Sequence, residues 1–190
     1  ALMMEKTKFE VCFEALGEDD WGPNGAERLG FEVQTNPNTN PGPIGRVASG
    51  GELARIMLAI KVVLAATGGA ATLIFDEVDA GIGGAAAERI GAKLRTLADR
   101  YQVLCVTHLP QIAAYGTSHY RVTKSVRTGR TTTDVTRLDE DTRASEIARM
   151  MTGTRVSSNV LQSARELLIT GSEQTSKVRR RKAKAKGESR

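Results

Sequence analysis

Two short apolar runs, "TLIF" at 72–75 and "QVLCVT" at 102–107, narrow the fold more than any other feature. Neither alternates apolar with polar residues, so both predict strands covered on both faces, as in a parallel sheet. Parallel neighbours need a crossover of a dozen or more residues, usually a helix. The intervening segment supplies one, a helix predicted over about 84–99 that buries Ile90, Leu94 and Leu97. Upstream, from Glu52 to Ala66, residues Leu53, Ile56, Met57, Ile60, Val63 and Leu64 fall at i, i+3, i+4, i+7, i+10 and i+11. That spacing predicts a helix with one buried stripe, with Glu52, Arg55 and Lys61 off it and "GGAA" as its stop. Helix, strand, helix, strand in that order gives an α/β domain with a parallel core.

Around this centre, "KFEVCFEAL" (8–16) and "FEVQTN" (31–36) are predicted strands, parted by the loop "GEDDWGPNGAERLG". "PNTNPGPIG" is too rich in Pro, Gly and Asn for regular structure. "LPQIAAYG" opens a short helix with Pro110 in its first turn, where proline is tolerated. "HYRVTKSV" and "TTTDVTRL" flank "RTGR" as a hairpin. Two helices follow, about 143–151 and 158–169; the second turns Val160, Leu161, Ala164, Leu167 and Leu168 inward behind a Ser157 or Ser158 cap. Residues 1–7, with Leu2, Met3 and Met4, are expected as a coiled-coil stub, 8–170 as one folded lobe, and 171–190 as a basic, disordered tail.

A chain of 190 residues, 40% hydrophobic, suits one packed domain. No run approaches the roughly 18 consecutive apolar residues of a membrane-spanning helix, so no membrane partner is expected. The start lacks the basic region and sustained apolar core of a signal peptide. Cys12 and Cys105 lie in apolar runs without motif spacing and are expected as buried small hydrophobes, which suits a reducing cytoplasm. The net charge of +5 belongs to residues 177–190, which hold eight Lys/Arg and one Glu and leave the remainder near −2. By charge alone such a tail suits nucleic acid. No aromatic residue interrupts it to stack on bases, so binding through it would be non-specific and salt-sensitive. A merely solubilising end fits the same composition.

Three stretches carry chemistry. In "ASGGE", Ser49, Gly50 and Gly51 precede a long helix, whose first N–H groups and bare glycine backbone suit a phosphate. The same pentapeptide also reads as an ordinary N-cap. "TLIFDEVDAG" puts Asp76 and Glu77 at the C-terminal end of a buried parallel strand, where α/β sheets bind ligands. There Asp76 would hold Mg²⁺, directly or through water, and Glu77 would polarise an attacking water. In "VLCVTHLPQIA", His108 follows the second buried strand on the same edge, positioned to contact a terminal phosphate. His119, in the hairpin, reads as an ordinary polar residue.

Their order, with 25 residues from Gly51 to Asp76 and 31 from Glu77 to His108, is far more specific than any one of them. "SGGE" resembles the signature motif of ABC-type ATPases, "TLIFDE" their Walker B strand, "VDAG" their D-loop and "VTHLPQIA" their switch-histidine loop. The fuller strings "ASGGELARIMLAIKVVLA", "FDEVDAGIGG" and "VTHLPQIAAYG" resemble the RecN branch of the SMC-like proteins, bacterial DNA repair ATPases, over about residues 8–170. The resemblance implies the C-terminal lobe of an ATPase head, cofactors ATP and Mg²⁺, and a nucleoid-associated, cytoplasmic protein. Its implied partners are the N-terminal lobe of the same protein, a second head, and DNA. It implies that Asp76 positions Mg²⁺, Glu77 activates water and His108 touches the γ-phosphate. Ser49, Gly50, Gly51 and Glu52 would cap ATP bound to the opposite head, and Asp79 would communicate across the dimer. Ala48 stands where ABC transporters usually carry leucine, and no G-x-x-x-x-G-K-[ST] loop or Q-loop occurs. The chain alone is therefore expected to be inactive. The alternative is a non-catalytic DNA- or protein-binding module acting through the basic tail. A transporter half-site has no membrane feature in its favour.

Overall fold

The computed structural model of the chain describes residues 2, 4–66, 71–127 and 130–187, with the backbone alone at 47, 66, 127 and 174–187. Strands β1 (Lys8–Ala15) and β2 (Glu27–Gln34) pair antiparallel, and β3 (Gly42–Pro43) adds two residues to the far side of β2. The short helix α1 (Ile44–Val47) leads into α2 (Gly50–Val63), and then come β4 (Thr72–Phe75), α3 (Gly84–Leu97) and β5 (Gln102–Cys105). The one-turn helix α4 (Pro110–Ala113), the hairpin β6 (Tyr120–Arg127) and β7 (Arg130–Arg137), and helices α5 (Glu140–Thr152) and α6 (Ser158–Gly187) complete the order.

The predicted centre forms. Strands β4 and β5 pair parallel, Thr72 opposite Gln102 through Phe75 opposite Cys105, with α3 as the crossover. Leu73 and Phe75 point into a core with Leu58, Val78, Ala87, Ile90, Leu94 and Leu97. The opposite face is bare: Ile74 is 72% exposed and Val106 61%, with Leu104 between them. The expectation of a sheet covered on both sides therefore holds for one side.

Helix α2 corrects the predicted stripe. Its buried residues are Gly51, Arg55, Ile56 and Leu58, whereas Met57, Val63 and Leu64 beyond its end are exposed. The segment is apolar almost all round, so periodicity could not fix which face packs on the sheet, and Arg55 lies inside. A helix apolar on every side is ordinarily buried on every side. The stop "GGAA" falls largely outside the described residues.

Other differences are local. Strand β2 begins at Glu27, inside the predicted loop, because Leu29, Phe31 and Val33 keep one alternation across Gly30. Within "PNTNPGPIG", β3 and the start of α1 form regular structure after all. Strand β5 stops at Cys105, two residues early. The hairpin forms as predicted, its turn at 128–129 lying outside the described residues. Met4 to Thr7 closes a hydrogen-bonded turn where a coiled-coil stub was expected. Helix α6 begins behind Ser157, whose Oγ accepts from the Val160 N–H, and runs to Gly187, through the stretch expected as disordered tail. That stretch has no proline and is rich in good helix formers. Its inner positions match the prediction: Ala164 is fully buried against Ile147 and Ala148, with Val160, Leu161, Leu167 and Leu168 around them. Cys12 and Cys105 are unbonded and half-buried rather than buried.

Candidate functional site: two carboxylates, a histidine and a glycine-capped helix

The start of α2 is a capping box. The Glu52 N–H donates to Ser49 Oγ (3.4 Å), and Glu52 Oε2 accepts from both the Ser49 N–H and the Ser49 hydroxyl, each at 2.9 Å. Bonds from Ser49, first its N–H, hold the Glu52 carboxyl below its ordinary pKa, and Arg55 adds to the effect. The helix-cap reading of "ASGGE" is thus realised at Ser49 and Glu52. The glycines serve close approach. A Cβ on Gly50 would stand 2.5 Å from Glu77 Oε2, and one on Gly51 would stand 2.8 Å from Ala80 Cβ and 3.1 Å from the Glu77 carbonyl.

After β4 the chain turns sharply. Asp76 and Glu77 are exposed, and Asp76 Oδ1 accepts from the Glu77 N–H at 2.9 Å. Glu77 has φ +55°, a left-handed backbone outside glycine. Val78 is fully buried and Asp79 is 4% exposed. Asp79 Oδ2 is the hub of the site: it accepts from Thr107 Oγ1 (2.6 Å) and the His108 N–H (3.0 Å) and lies 3.0 Å from His108 Nδ1. Thr107 Oγ1 in turn accepts from the Leu109 N–H at 3.0 Å. The His108 ring is exposed and lies beyond the C-terminal end of β5, beside that of β4, as the parallel pairing requires. Burial, with Asp79 and Asp76 nearby, pushes the Cys105 thiol up to about 12.

The structure therefore joins the sequence-predicted residues in two sets. Glu77 lies with Ser49–Gly51 and Glu52 at the start of α2, and Asp79 lies with His108. Asp76 is bonded to neither set except through Glu77. Among the described residues no three His, Cys, Asp or Glu side chains converge as a metal cage. A single exposed carboxylate nevertheless fits Mg²⁺, which keeps several waters and is held by one or two carboxylates plus substrate phosphates. Thr107 and Arg55 were missed by sequence reasoning. The string "VTH" offered the first as a hydroxyl beside His108, whereas nothing local marks an arginine on an apolar helix as an inward one.

The fold defines a class: the C-terminal lobe of an SMC-like head. A solved Smc head domain with a coiled coil and joint from Pyrococcus yayanosii shares the fold at a TM-score of 0.54, with 20% identity, over 87% of this chain and 27% of that one. A second, from Pyrococcus furiosus and bound to the C-terminal domain of ScpA, gives 0.50 at 20% identity over 78% of this chain and 35% of that one. The chain belongs to the RecN family. It is 50% identical to the DNA repair protein RecN of Xylella fastidiosa (strain Temecula1) over 77% of its length. The corresponding protein of Deinococcus radiodurans is 47% identical over 88% of it, and that of Halalkalibacterium halodurans 42% over 88%. The chain spans only 26–30% of the length of these relatives. No protein-family profile matches it. Among the described residues no helix is long and apolar enough to cross a membrane.

Proposed function

We propose that this chain is one lobe of a composite ATPase head in a cytoplasmic, nucleoid-associated protein that binds or tethers DNA during double-strand-break repair. The observation that carries the reading is the half-covered β4–β5 pair, which ends in Asp76 and Glu77 and shows a bare apolar face. An N-terminal lobe of the same protein, bearing the phosphate-binding loop, would cover that face and complete the site. Bound Mg²⁺–ATP would supply the phosphoryl group and the charge that draws two heads together.

On this reading the chain's own residues divide the work as follows. Asp76, exposed at a strand end, would hold Mg²⁺ directly or through water. Glu77 takes the proton of the attacking water; in the lobe alone its carboxylate rests against the start of α2, so engagement must draw it toward Asp76. His108, held by Asp79, offers its outer ring nitrogen to the γ-phosphate. Ser49, Gly50, Gly51 and Glu52 face the nucleotide of the opposite head, and Asp79 lies close behind that interface. Catalysis on this reading is positioning and electrostatics.

The test is Mg²⁺–ATP turnover by this chain, alone and mixed with a separately made N-terminal lobe. Silence alone and turnover on mixing are expected. Turnover by the chain alone would overturn the split-head reading.

A further inference from the structure

Arg55 is 7% exposed, an unusual place for a guanidinium, and burial pulls its pKa down. Burying a charge is costly unless it is paired and hydrogen-bonded. Arg55 has no carboxylate within ion-pair distance among the described residues, although Glu52 lies near enough to favour its charge, and its Nε has no hydrogen-bond partner there. What it does make is a 2.9 Å bond from an Nη to the Ala80 carbonyl, 25 residues away. Ala80 also comes close to the start of α2, since a Cβ added to Gly51 would stand 2.8 Å from its Cβ. The first turns of α2 thus grip one residue of the 77–81 turn at two points.

The neighbouring residue of that turn is gripped as firmly. Asp79 accepts from the Thr107 hydroxyl and the His108 N–H and lies 3.0 Å from the His108 ring Nδ1, and Val78 before it is fully buried. Helix α2, the turn and the His108 loop are therefore linked in series, through Ala80 and its neighbour Asp79. We infer that Arg55 is a positioning residue, which transmits the placement of the α2 N-terminus through Ala80 and Asp79 to the imidazole of His108 within one chain. The inference rests on the proposed roles of the α2 start and His108. On that reading, capping the nucleotide of one head sets the histidine that serves the other.

The test uses Arg55→Met, which keeps the apolar stem and removes the donor, and Arg55→Lys, which restores one donor. Amide hydrogen exchange and ring ¹⁵N signals of His108 are read on this chain without nucleotide. In Arg55→Met the His108 amide should exchange about tenfold faster and its ring signals should move, with a near-unchanged melting temperature; Arg55→Lys should recover part of both. If Arg55→Met does not fold, Asp79→Asn breaks the same series from the other side and should alter Ala80 and Gly51 signals. A change confined to Ala80 in the first variant, or to His108 in the second, would overturn the inference. In the complete head, Arg55→Met should lower kcat by about tenfold with little change in KM for ATP, and an unchanged kcat would also overturn it. If the unmodified complete head fails to turn over ATP, the function proposed above falls, while the exchange experiment still decides the linkage.

Discussion

Helices α5 and α6 and the strand pair β4–β5 are built to different degrees of completion. The helices finish their own core, with Ile147, Ala148 and Ala164 entirely covered. They are also locked to α4: Arg143 donates to the carbonyls of Ala113, Ala114 and Gly116, and α6 comes so near that a Cβ on Gly171 would stand 2.6 Å from the Ala114 carbonyl. The strand pair is covered on one side only. The hairpin β1–β2 also leaves an apolar face open, with Phe9, Val11, Phe13, Leu29 and Phe31 exposed on it. The helical part thus closes over its own small core, whereas the candidate site residues stand at the end of a sheet that is packed on one face and open on the other.

The sharpest way to break this contrast is on the chemical side. Glu77→Gln in the complete head should reduce turnover by roughly 10² to 10⁴ while leaving nucleotide binding in place, checked by single-turnover kinetics and equilibrium binding. On the finished side, Ile147→Ala should destabilise the isolated chain by about 2–5 kcal/mol, read by denaturant unfolding, because it opens a cavity that α6 cannot fill. On the bare face, Ile74→Ser should change the isolated chain by no more than about 0.5 kcal/mol, as befits an exposed position. The same substitution should weaken association with the N-terminal lobe by roughly 10- to 100-fold, the worth of one buried aliphatic side chain, measured by calorimetric titration. Equal effects of Ile74→Ser in both assays would erase the distinction.

Acid should act on the finished part first. Burial, with Arg143 nearby, lowers the pKa of His119 from 6.5, so its neutral form favours the fold and its contribution declines as pH falls through that value. A bond from Arg149 lowers Glu146 from 4.5, so that contribution is full above 4.5 and is lost as pH falls further. Melting temperature should drop in two stages on acidification, and His119→Gln should remove the earlier one. The smallest effect concerns Cys105. With its thiol near 12 it should resist iodoacetamide at neutral pH, and the rate should climb into the strongly alkaline range, read by mass spectrometry.

Much of this was legible in the chain because it depends on local pattern. The inward residues of α3 and α6 follow from a period of 3.6, the bounds of "TLIF" from an unbroken apolar run, and the β6–β7 hairpin from "RTGR" between two strand-like stretches. The positions of Asp76, Glu77 and His108 at strand ends follow from those bounds. Arg55 was misplaced because a helix apolar on most sides has no unique buried face until its neighbours are known. The joint grip of Asp79 on Thr107 and His108 was invisible for a related reason: it spans 28 residues or more between its partners and exists only once β4 and β5 lie side by side. The backbone angle at Glu77 likewise arises from the tight exit of β4 and has no signature in "FDEV".

That angle sets two kinds of selection against each other. A residue with a Cβ held in the left-handed region gives up about 1–2 kcal/mol that glycine would not. A library of this chain sorted only for heat resistance should therefore enrich Glu77→Gly. The most tempting stabilising change would delete the carboxylate on which the proposed hydrolysis depends, so thermal hardening of this lobe has to be screened with the function intact.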